Sequence, residues 1–241
     1  MSHSVGTAGW SLPRAEQEQF PGAGSHLERY ATRFRVVEIN SSFHRSHRAA
    51  TWMRWRDSVP EGFRFSVKMP TSITHTQKLR DADALVGAFL TEAGVLSEKL
   101  ACVLVQLPPS LAFDAAMAAE FFTTLRARTS LCVACEPRHE SWFDAEADRL
   151  LQSYNVARVA ADPARVPSAA EPGGWRGLSY YRLHGSPKIY YSAYSAEFIG
   201  ALGARLREQE NANRAVWVIF DNTTLGAATR NAIELSQALQ M

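Results

Sequence analysis

Eight short apolar runs alternate along this chain with stretches of helical composition. The runs are VGTAGW (5–10), VVEINSSF (36–43), FRFSVKMP (63–70), ACVLVQLPP (101–109), LCVACEPRH (131–139), ARVAADP (157–163), LSYYRLHGS (178–186) and AVWVIFDN (215–222). Alternation of strand-like and helix-like segments predicts parallel strands joined by helical crossovers. Eight such repeats in 241 residues are typical of a TIM-type (β/α)8 barrel, which is an α/β fold.

An open, doubly wound sheet is the main alternative to the barrel. A Gly-x-Gly-x-x-Gly motif after a strand would favour that sheet, and no such motif follows any of the runs. Neither a linker nor a charge run divides the chain, so residues 1–241 are predicted to form a single barrel domain. The connector PARVPSAAEPGGWRG (163–177) is rich in Pro and Gly. The helix between strands 6 and 7 is therefore expected to be missing or vestigial.

Composition narrows the class of protein. Hydrophobic residues make up 46% of the chain and charged residues 21%, which is typical of a globular protein. The net charge of +2 disfavours binding to nucleic acid through bulk charge. No run approaches the roughly 18 apolar residues of a membrane span, and the N-terminus lacks the apolar region of a signal peptide. We therefore expect a cytoplasmic protein with no membrane partner.

Two of the cysteines, Cys132 and Cys135, form a CxxC pattern that invites a metal or redox interpretation. They lie in an apolar run that is predicted to be a strand. Side chains three residues apart on a strand point to opposite faces, so the two thiols cannot share one metal ion. We predict that both are thiols packed in the core.

The run YYRLHG (180–185) carries Arg182 and His184 where a buried strand usually has Val or Ile. Alternate residues of a barrel strand face the interior, so both side chains are predicted to point inward. The same alternation predicts further inward residues: Glu38, Asn40, Arg64, Ser66, Lys68, Gln106, Glu136, Arg158, Asp162 and Tyr180. Asp221 and Asn222 end the last run, and alternation leaves open which of them points inward. Because buried charges need partners, carboxylates of neighbouring strands are expected to pair with Arg182 and His184.

These inward polar residues fall into two groups. Arg64 and Arg158 are predicted to lie deep in the barrel and to have a structural role. The others lie near the C-terminal ends of their strands, where barrel enzymes carry their catalytic groups. A functional site is therefore predicted at that rim.

Several motifs of the chain are distinctive. They are GTAGW, VEINSSFHR, FRFSVKMP, VLVQLPPS, YYRLHG and VIFDN, in this order. With them the chain resembles the domain-of-unknown-function family 72 (YecE-like), from about residue 5 to residue 235. The resemblance implies a single TIM-type barrel without an established activity, in a family loosely described as related to sugar isomerases. His44 departs from the family pattern, which has Tyr at that position.

The predicted rim contains two kinds of candidate residue. Buried acidic and imidazole groups beside cations acquire separated pKa values, which suits general acid and base catalysis. The catalytic candidates are Glu38, Glu136, Asp162 and His184. Cations for an anionic group, amides for hydroxyls and aromatic faces for a ring suit substrate binding. The substrate-binding candidates are Trp10, Asn40, Lys68, His75, Gln106, Arg138, Trp142, Arg182, Tyr190, Asp221 and Asn222.

Three functions fit this rim. The first is a metal-free acid/base enzyme (an isomerase, hydrolase or lyase) that acts on a sugar-like or anionic small molecule. The second is a barrel dependent on a divalent metal, like a sugar isomerase or a phosphodiesterase; it is not favoured, because Lys68 and Arg182 would compete for the carboxylates and no HxH pair is present. No metal ligand is therefore predicted, and no cofactor is identified. The third is a non-catalytic protein that binds a ligand or single-stranded nucleic acid.

Overall fold

Parallel strands form nearly all of the sheet structure. The structure, a computed structural model, describes residues 3–208 and 215–240. Ten strands lie within these ranges: β1 (Ser4–Thr7), β2 (Val36–Ile39), β3 (Arg64–Lys68), β4 (Leu100–Gln106), β5 (Cys132–Glu136), β6 (Val156–Arg158), β7 (Ala160–Asp162), β8 (Gly173–Gly174), β9 (Leu178–Leu183) and β10 (Ala215–Phe220). They form a four-stranded sheet in the order β1-β10-β9-β7 and a six-stranded sheet in the order β2-β3-β4-β5-β6-β8. The α/β class with parallel pairing is confirmed.

Helices follow most of the strands. They are α1 (His26–Tyr30), α2 (Ala49–Asp57), α3 (Asp83–Ala93), α4 (Ala115–Arg128), α5 (Ala145–Ser153), α6 (Ala196–Glu208) and α7 (Ala227–Ala238). The side chains of Asp114 and Asp144 accept hydrogen bonds from the first turns of α4 and α5, which fixes where these helices begin. Among the described residues, none of the helices combines the length and the apolar character that a membrane crossing requires.

Apolar side chains separate onto the two faces of the sheets. Tyr181 and Leu183 belong to the larger cluster, which packs between strands and helices. Tyr180 belongs to a smaller cluster that contains inward residues of both sheets. The alternation predicted for β9 is therefore confirmed. Cys135 lies in the larger cluster and Cys132 packs against the smaller one, so the two thiols do lie on opposite faces.

In the sixth apolar run, ARVAADP (157–163), alternation predicted the wrong set of inward residues. Val159 interrupts it between β6 and β7 and belongs to the inner cluster. Arg158 instead turns toward α5, where its Nε donates to Asp148 Oδ1 at 3.2 Å, and Asp162 stands in register with the outward Leu183. The prediction that Arg158 and Asp162 face inward is therefore wrong. Alanines on both faces of this short run leave its register unspecified by the sequence pattern.

The connector after β7 contains only a 3-10 turn, Pro167–Ala170, before β8 pairs antiparallel with β6. This agrees with the expected loss of a helix there. Gly174 has a φ of +62°, and a Cβ at this position would lie 2.5 Å from the Val156 carbonyl oxygen. Glycine therefore permits the close return of the chain onto β6.

Two sets of contacts connect the sheets. At one side, Ala8 forms a parallel bridge with Glu38, and the Gly9 amide donates to the Glu38 carbonyl at 2.8 Å. At the other side, β6 and β7 are consecutive pieces of one run, and the Val159 amide between them donates to Cys135 O at 2.8 Å. The carboxyl ends of strands from both sheets thus come close together.

Candidate functional site

Arg182 on β9 is fully buried and is surrounded by three carboxylates. Its Nε and Nη2 donate to the two oxygens of Glu38 at 3.1 and 2.7 Å, in a bidentate arrangement. Its Nη1 donates to Glu136 Oε2 at 2.5 Å, and Nη2 also donates to Asp221 Oδ2 at 2.8 Å. Although burial opposes it, these carboxylates raise the pKa of Arg182 well above its usual value. The guanidinium therefore holds acidic residues of three strand ends in fixed positions.

His184 lies two residues further along the same face. Its Nδ1 is 3.0 Å from Asp221 Oδ2, and its Nε2 is 2.9 Å from Glu136 Oε1. Arg138 Nη2 approaches the same Glu136 oxygen at 2.6 Å and His184 Nε2 at 3.0 Å. Burial would raise the pKa of Glu136, but Arg182, Arg138 and His184 hold it well below its usual range. We call Glu38, Glu136, Arg182, His184 and Asp221 the Arg182 cluster.

A cavity of about 460 Å³ opens above the Arg182 cluster. It lies where β2, β3, β4 and β10 end, and we call it the mouth cavity. Its walls are formed by Asn40, Ser41, Phe43, His44, Lys68, His75, Gln106, Tyr190 and Asp221. Six of the predicted site residues (Asn40, Lys68, His75, Gln106, Tyr190 and Asp221) thus line one space, and Asp221 connects it with the buried cluster.

Lys68, the last residue of β3, is the unusual group of this cavity. Only 8% of its surface is exposed, and its Nζ lies 3.9 Å from the centre of the Phe43 ring. Within the described part of the chain, this ammonium forms neither an ion pair nor a hydrogen bond. Burial, and next the charge of Arg182, lower the pKa of Lys68 to about 8, against the opposing effect of the cluster carboxylates. Lys68 therefore exchanges its proton close to neutral pH.

Two further titratable side chains cover the cavity. His75 lies in a π-helical turn, Ser72–Thr76, with its Nδ1 2.8 Å from Thr74 Oγ1. Burial and the charge of Lys68 lower the pKa of His75. Tyr190 adopts a φ of 69°, in the left-handed region that side chains rarely occupy. Its backbone amide donates to the His184 carbonyl, which fixes the tyrosine at the cavity entrance.

Two predicted polar site residues lie elsewhere. Asp162 faces outward and accepts a hydrogen bond from the Tyr194 hydroxyl at 2.7 Å. Asn222 is buried and donates to Ser192 O and Asn231 Oδ1. Both support the loops behind the mouth cavity rather than its wall. Of the last two residues of the eighth run, Asp221 is therefore the one that points inward.

The two tryptophans assigned to substrate binding are packing residues. Trp142 is fully buried, donates through its indole nitrogen to Leu111 O at 3.0 Å and packs against Phe113. Trp10 packs edge-on against Trp55 of α2, with 5.1 Å between the ring centres. Neither ring lines the mouth cavity. Tryptophan has a large apolar surface, and burial of that surface is favourable.

Sequence reasoning missed three of the wall residues: Ser41, Phe43 and His44. All three follow β2 directly, in the 3-10 turn Ser41–Phe43 and the residue after it. Their position at the carboxyl end of a predicted strand was the available signal. Phe43 is central among them, because its ring contacts the ammonium of Lys68 and the ring of His75.

Comparison with known proteins gives a family and a fold. The family model for "Protein of unknown function DUF72" matches residues 4–241. The protein YecE of Escherichia coli K12 is 30% identical over 174 residues, which cover 70% of this chain and 61% of that protein. The chain therefore spans about three fifths of this relative's length. The protein YunF of Bacillus subtilis 168 is 22% identical and is covered over 94% of its length, with 98% of this chain.

Two solved structures of DUF72 proteins superpose closely. One, from Thermotoga maritima MSB8, has a TM-score of 0.82 and 24% identity, with complete coverage of both chains. Another, from Enterococcus faecalis V583, has a TM-score of 0.82 and 22% identity and covers all of this chain and 96% of that one. At these identities the likeness shows a shared fold.

Proposed function

The chain belongs to the DUF72 family of proteins of unknown function, and we propose that its mouth cavity is the active site of a metal-free acid/base enzyme. The substrate is a small, hydroxyl-bearing molecule of the sugar-like kind. One observation carries the proposal: a buried lysine without an ion-pair partner in the described chain forms a wall of a polar cavity.

An ammonium that is buried without a partner is costly, so an isolated lysine is rarely kept for stability alone. In this site the carboxylates that could pair with Lys68 are already bonded to Arg182. Lys68 therefore remains available to a ligand, and its pKa of about 8 lies near the optimum for proton transfer at physiological pH. These features favour Lys68 as the reacting group.

The walls favour a polar, uncharged substrate. Asn40, Ser41, Gln106 and Tyr190 offer amide and hydroxyl groups to the cavity, and these groups bind substrate hydroxyls. Beneath them, three carboxylates of the Arg182 cluster face only two guanidinium groups, Arg182 and Arg138. A volume of about 460 Å³ is in the usual range of small-molecule sites.

We also propose that the two sheets are parts of one (β/α)8 barrel, formed by residues 1–241 as a single domain. The Ala8–Glu38 bridge and the continuous run through β6 and β7 support this proposal. Ion pairs from Arg182 of one sheet to Glu38 and Glu136 of the other support it as well. The mouth cavity then occupies the end at which barrels carry their active sites.

The acidic residues of this site do not suit a divalent cation. Among the described residues, no group of three or more His, Cys, Asp or Glu side chains is arranged to hold one. Glu38, Glu136 and Asp221 each accept hydrogen bonds from Arg182 instead. A metal ion would have to displace the guanidinium and leave it buried without partners, at a high cost.

A ligand screen with matched variants tests the proposal. Monosaccharides, polyols and sugar acids are screened by thermal shift, and each ligand found is incubated with the protein in D₂O and followed by NMR. We expect a hydroxylated compound to stabilise the native protein and to exchange a carbon-bound hydrogen for deuterium. In Lys68→Met, exchange should fall by roughly a hundredfold, the usual contribution of one acid/base group.

Arg33→Met is the matched control. Arg33 lines a different cavity, of about 500 Å³, beside β1 and the end of α7. That cavity contains His3 and Arg35, but no buried titratable residue. Ligand binding that is lost in Arg33→Met and kept in Lys68→Met would contradict the assignment of the active site.

A further inference from the structure

We propose that Lys68 forms an imine with the carbonyl carbon of an aldehyde or ketone that is bound in the mouth cavity. This inference rests on the proposed function and deepens it by naming the substrate class, which is a hydroxylated carbonyl compound. Its basis is the geometry around Lys68, which lines the cavity and has its Nζ 3.9 Å from the centre of the Phe43 ring.

A lysine nucleophile needs a free lone pair on a fixed side chain. Lys68 ends strand β3, so its backbone is held by the sheet. Its Nζ donates no hydrogen bond to a protein group in the described chain, so deprotonation breaks no hydrogen bond and removes only the attraction to the Phe43 ring. The charges that act on it come from Arg182, Glu38, Glu136 and Asp221, and His75 shares the Phe43 ring with it.

The bond changes balance with groups that are present at the cavity. The Lys68 nitrogen adds to the carbonyl carbon, and a proton moves from nitrogen to the former carbonyl oxygen to give a carbinolamine. A second proton then allows that hydroxyl to leave as water, and the carbon–nitrogen double bond forms as an iminium. His75 lines the same cavity as Lys68 and can relay these protons, because a neutral imidazole both accepts and donates a proton.

The charge of the site favours the iminium. When Lys68 is neutral, the three carboxylates of the Arg182 cluster outnumber the guanidinium groups of Arg182 and Arg138 by one. The iminium restores one positive charge at Nζ, close to the Asp221 carboxylate that lines the cavity. Opposite charges near a developing cation stabilise it. The iminium in turn acidifies the neighbouring carbon–hydrogen bond, which is the step that an isomerase or a lyase requires.

Reductive trapping tests the imine. The full-length protein is incubated at pH 8 with dihydroxyacetone or glyceraldehyde and sodium cyanoborohydride, which adds hydride to the imine carbon and fixes the adduct as a secondary amine. The chain has four lysines, Lys68, Lys78, Lys99 and Lys188, so peptide mass spectrometry assigns every adduct. We expect Lys68 to be labelled roughly a hundredfold faster than the exposed Lys78 and Lys188, because about half of its amine is neutral at pH 8, whereas an ordinary lysine amine is almost entirely protonated there.

The other outcomes of this experiment distinguish a failure of the imine from a failure of the proposed function. Labelling at Lys78 and Lys188 that equals or exceeds labelling at Lys68 would overturn the imine. Lys68→Arg keeps a cation without a nucleophilic amine, so it should lose hydrogen exchange together with the adduct. If Lys68-dependent exchange occurs while no adduct is trapped, the acid/base proposal stands and the imine is wrong. If the adduct forms and no ligand of the native protein undergoes exchange, the imine stands and the proposed reaction is wrong.

Discussion

Lys68 and Lys99 are equally buried, each with 8% of its surface exposed, but their ammonium groups have different surroundings. Lys99 Nζ donates to the backbone carbonyls of Arg56 and Val59, at 2.6 and 2.7 Å. It thereby joins the end of α2 to the start of β4. Lys68 Nζ contacts an aromatic face and a cavity instead. The Lys99 ammonium therefore has hydrogen-bond acceptors within the fold, whereas the Lys68 ammonium has only the Phe43 ring as a partner in the described chain.

The difference separates structural from functional burial of charge. A buried cation that is held by hydrogen bonds to the protein stabilises the elements that it connects. Arg182 is of this kind, because every carboxylate around it is within bonding distance. Within the described residues, Lys68 forms no ion pair with this network, and in the proposed function its amine is therefore left for a ligand.

Substitution by Met should destabilise the protein at Lys99 and not at Lys68, and this is the largest effect that we expect. Lys99→Met removes both hydrogen bonds and leaves two carbonyls short of a donor, which should lower the free energy of unfolding by about 2–4 kcal/mol. Lys68→Met keeps the aliphatic stem and removes an uncompensated ammonium, so it should be neutral or stabilising by about 1–3 kcal/mol. Urea unfolding at pH 7 measures both. A loss of stability in Lys68→Met as large as in Lys99→Met would remove the distinction.

The pH dependence of stability sharpens the comparison. The pKa of Lys68 in the folded protein, about 8, lies below its ordinary value of 10.5. Below pH 8 both states hold the proton, and the folded state bears the full cost of the buried ammonium. Between pH 8 and 10.5 the unfolded state binds more protons, so stability should rise with pH. Relative to Lys68→Met, the native protein should gain about 3 kcal/mol over this window. Unfolding curves of both proteins from pH 7 to 10.5 test the gain, and a flat difference would contradict it.

Much of the fold could be predicted because its pattern is strong. Each of the eight apolar runs contains a strand, and the inward positions of β2, β3, β5 and β9 followed from alternation alone. The Ala-rich sixth run was the exception. Its small side chains suit either face, and its register is set by pairing with β5 and β9 rather than by its own composition.

The site was harder to predict than the strands that carry it. Alternation identifies the inward residues, but it does not give the level of each residue relative to those of the neighbouring strands. Glu38, Glu136 and Arg182 lie in the buried cluster, whereas Lys68 and Gln106 reach the cavity. That separation depends on the stagger between strands, which is a property of the whole sheet. Trp142 was predicted at the rim, but the turn Glu140–Phe143 directs its ring into the core. Alternation along a strand gives no information on a turn of this kind.

The smallest expected effect concerns the Phe43 ring, which is the contact that the Lys68 ammonium makes in the described part of the chain. The Phe43 ring, 3.9 Å from Nζ, attracts the ammonium and has no comparable effect on the neutral amine. Phe43→Leu keeps an apolar wall and removes this attraction, which is worth about 0.5–1 kcal/mol. The pKa of Lys68 should therefore fall further below 8 by roughly half a unit. Lysine NMR titration of both proteins measures the change. A rise in the pKa of Lys68 in Phe43→Leu would mean that the ring excludes water from the ammonium more than it attracts the charge, and the ring would then not count as a partner of the Lys68 charge.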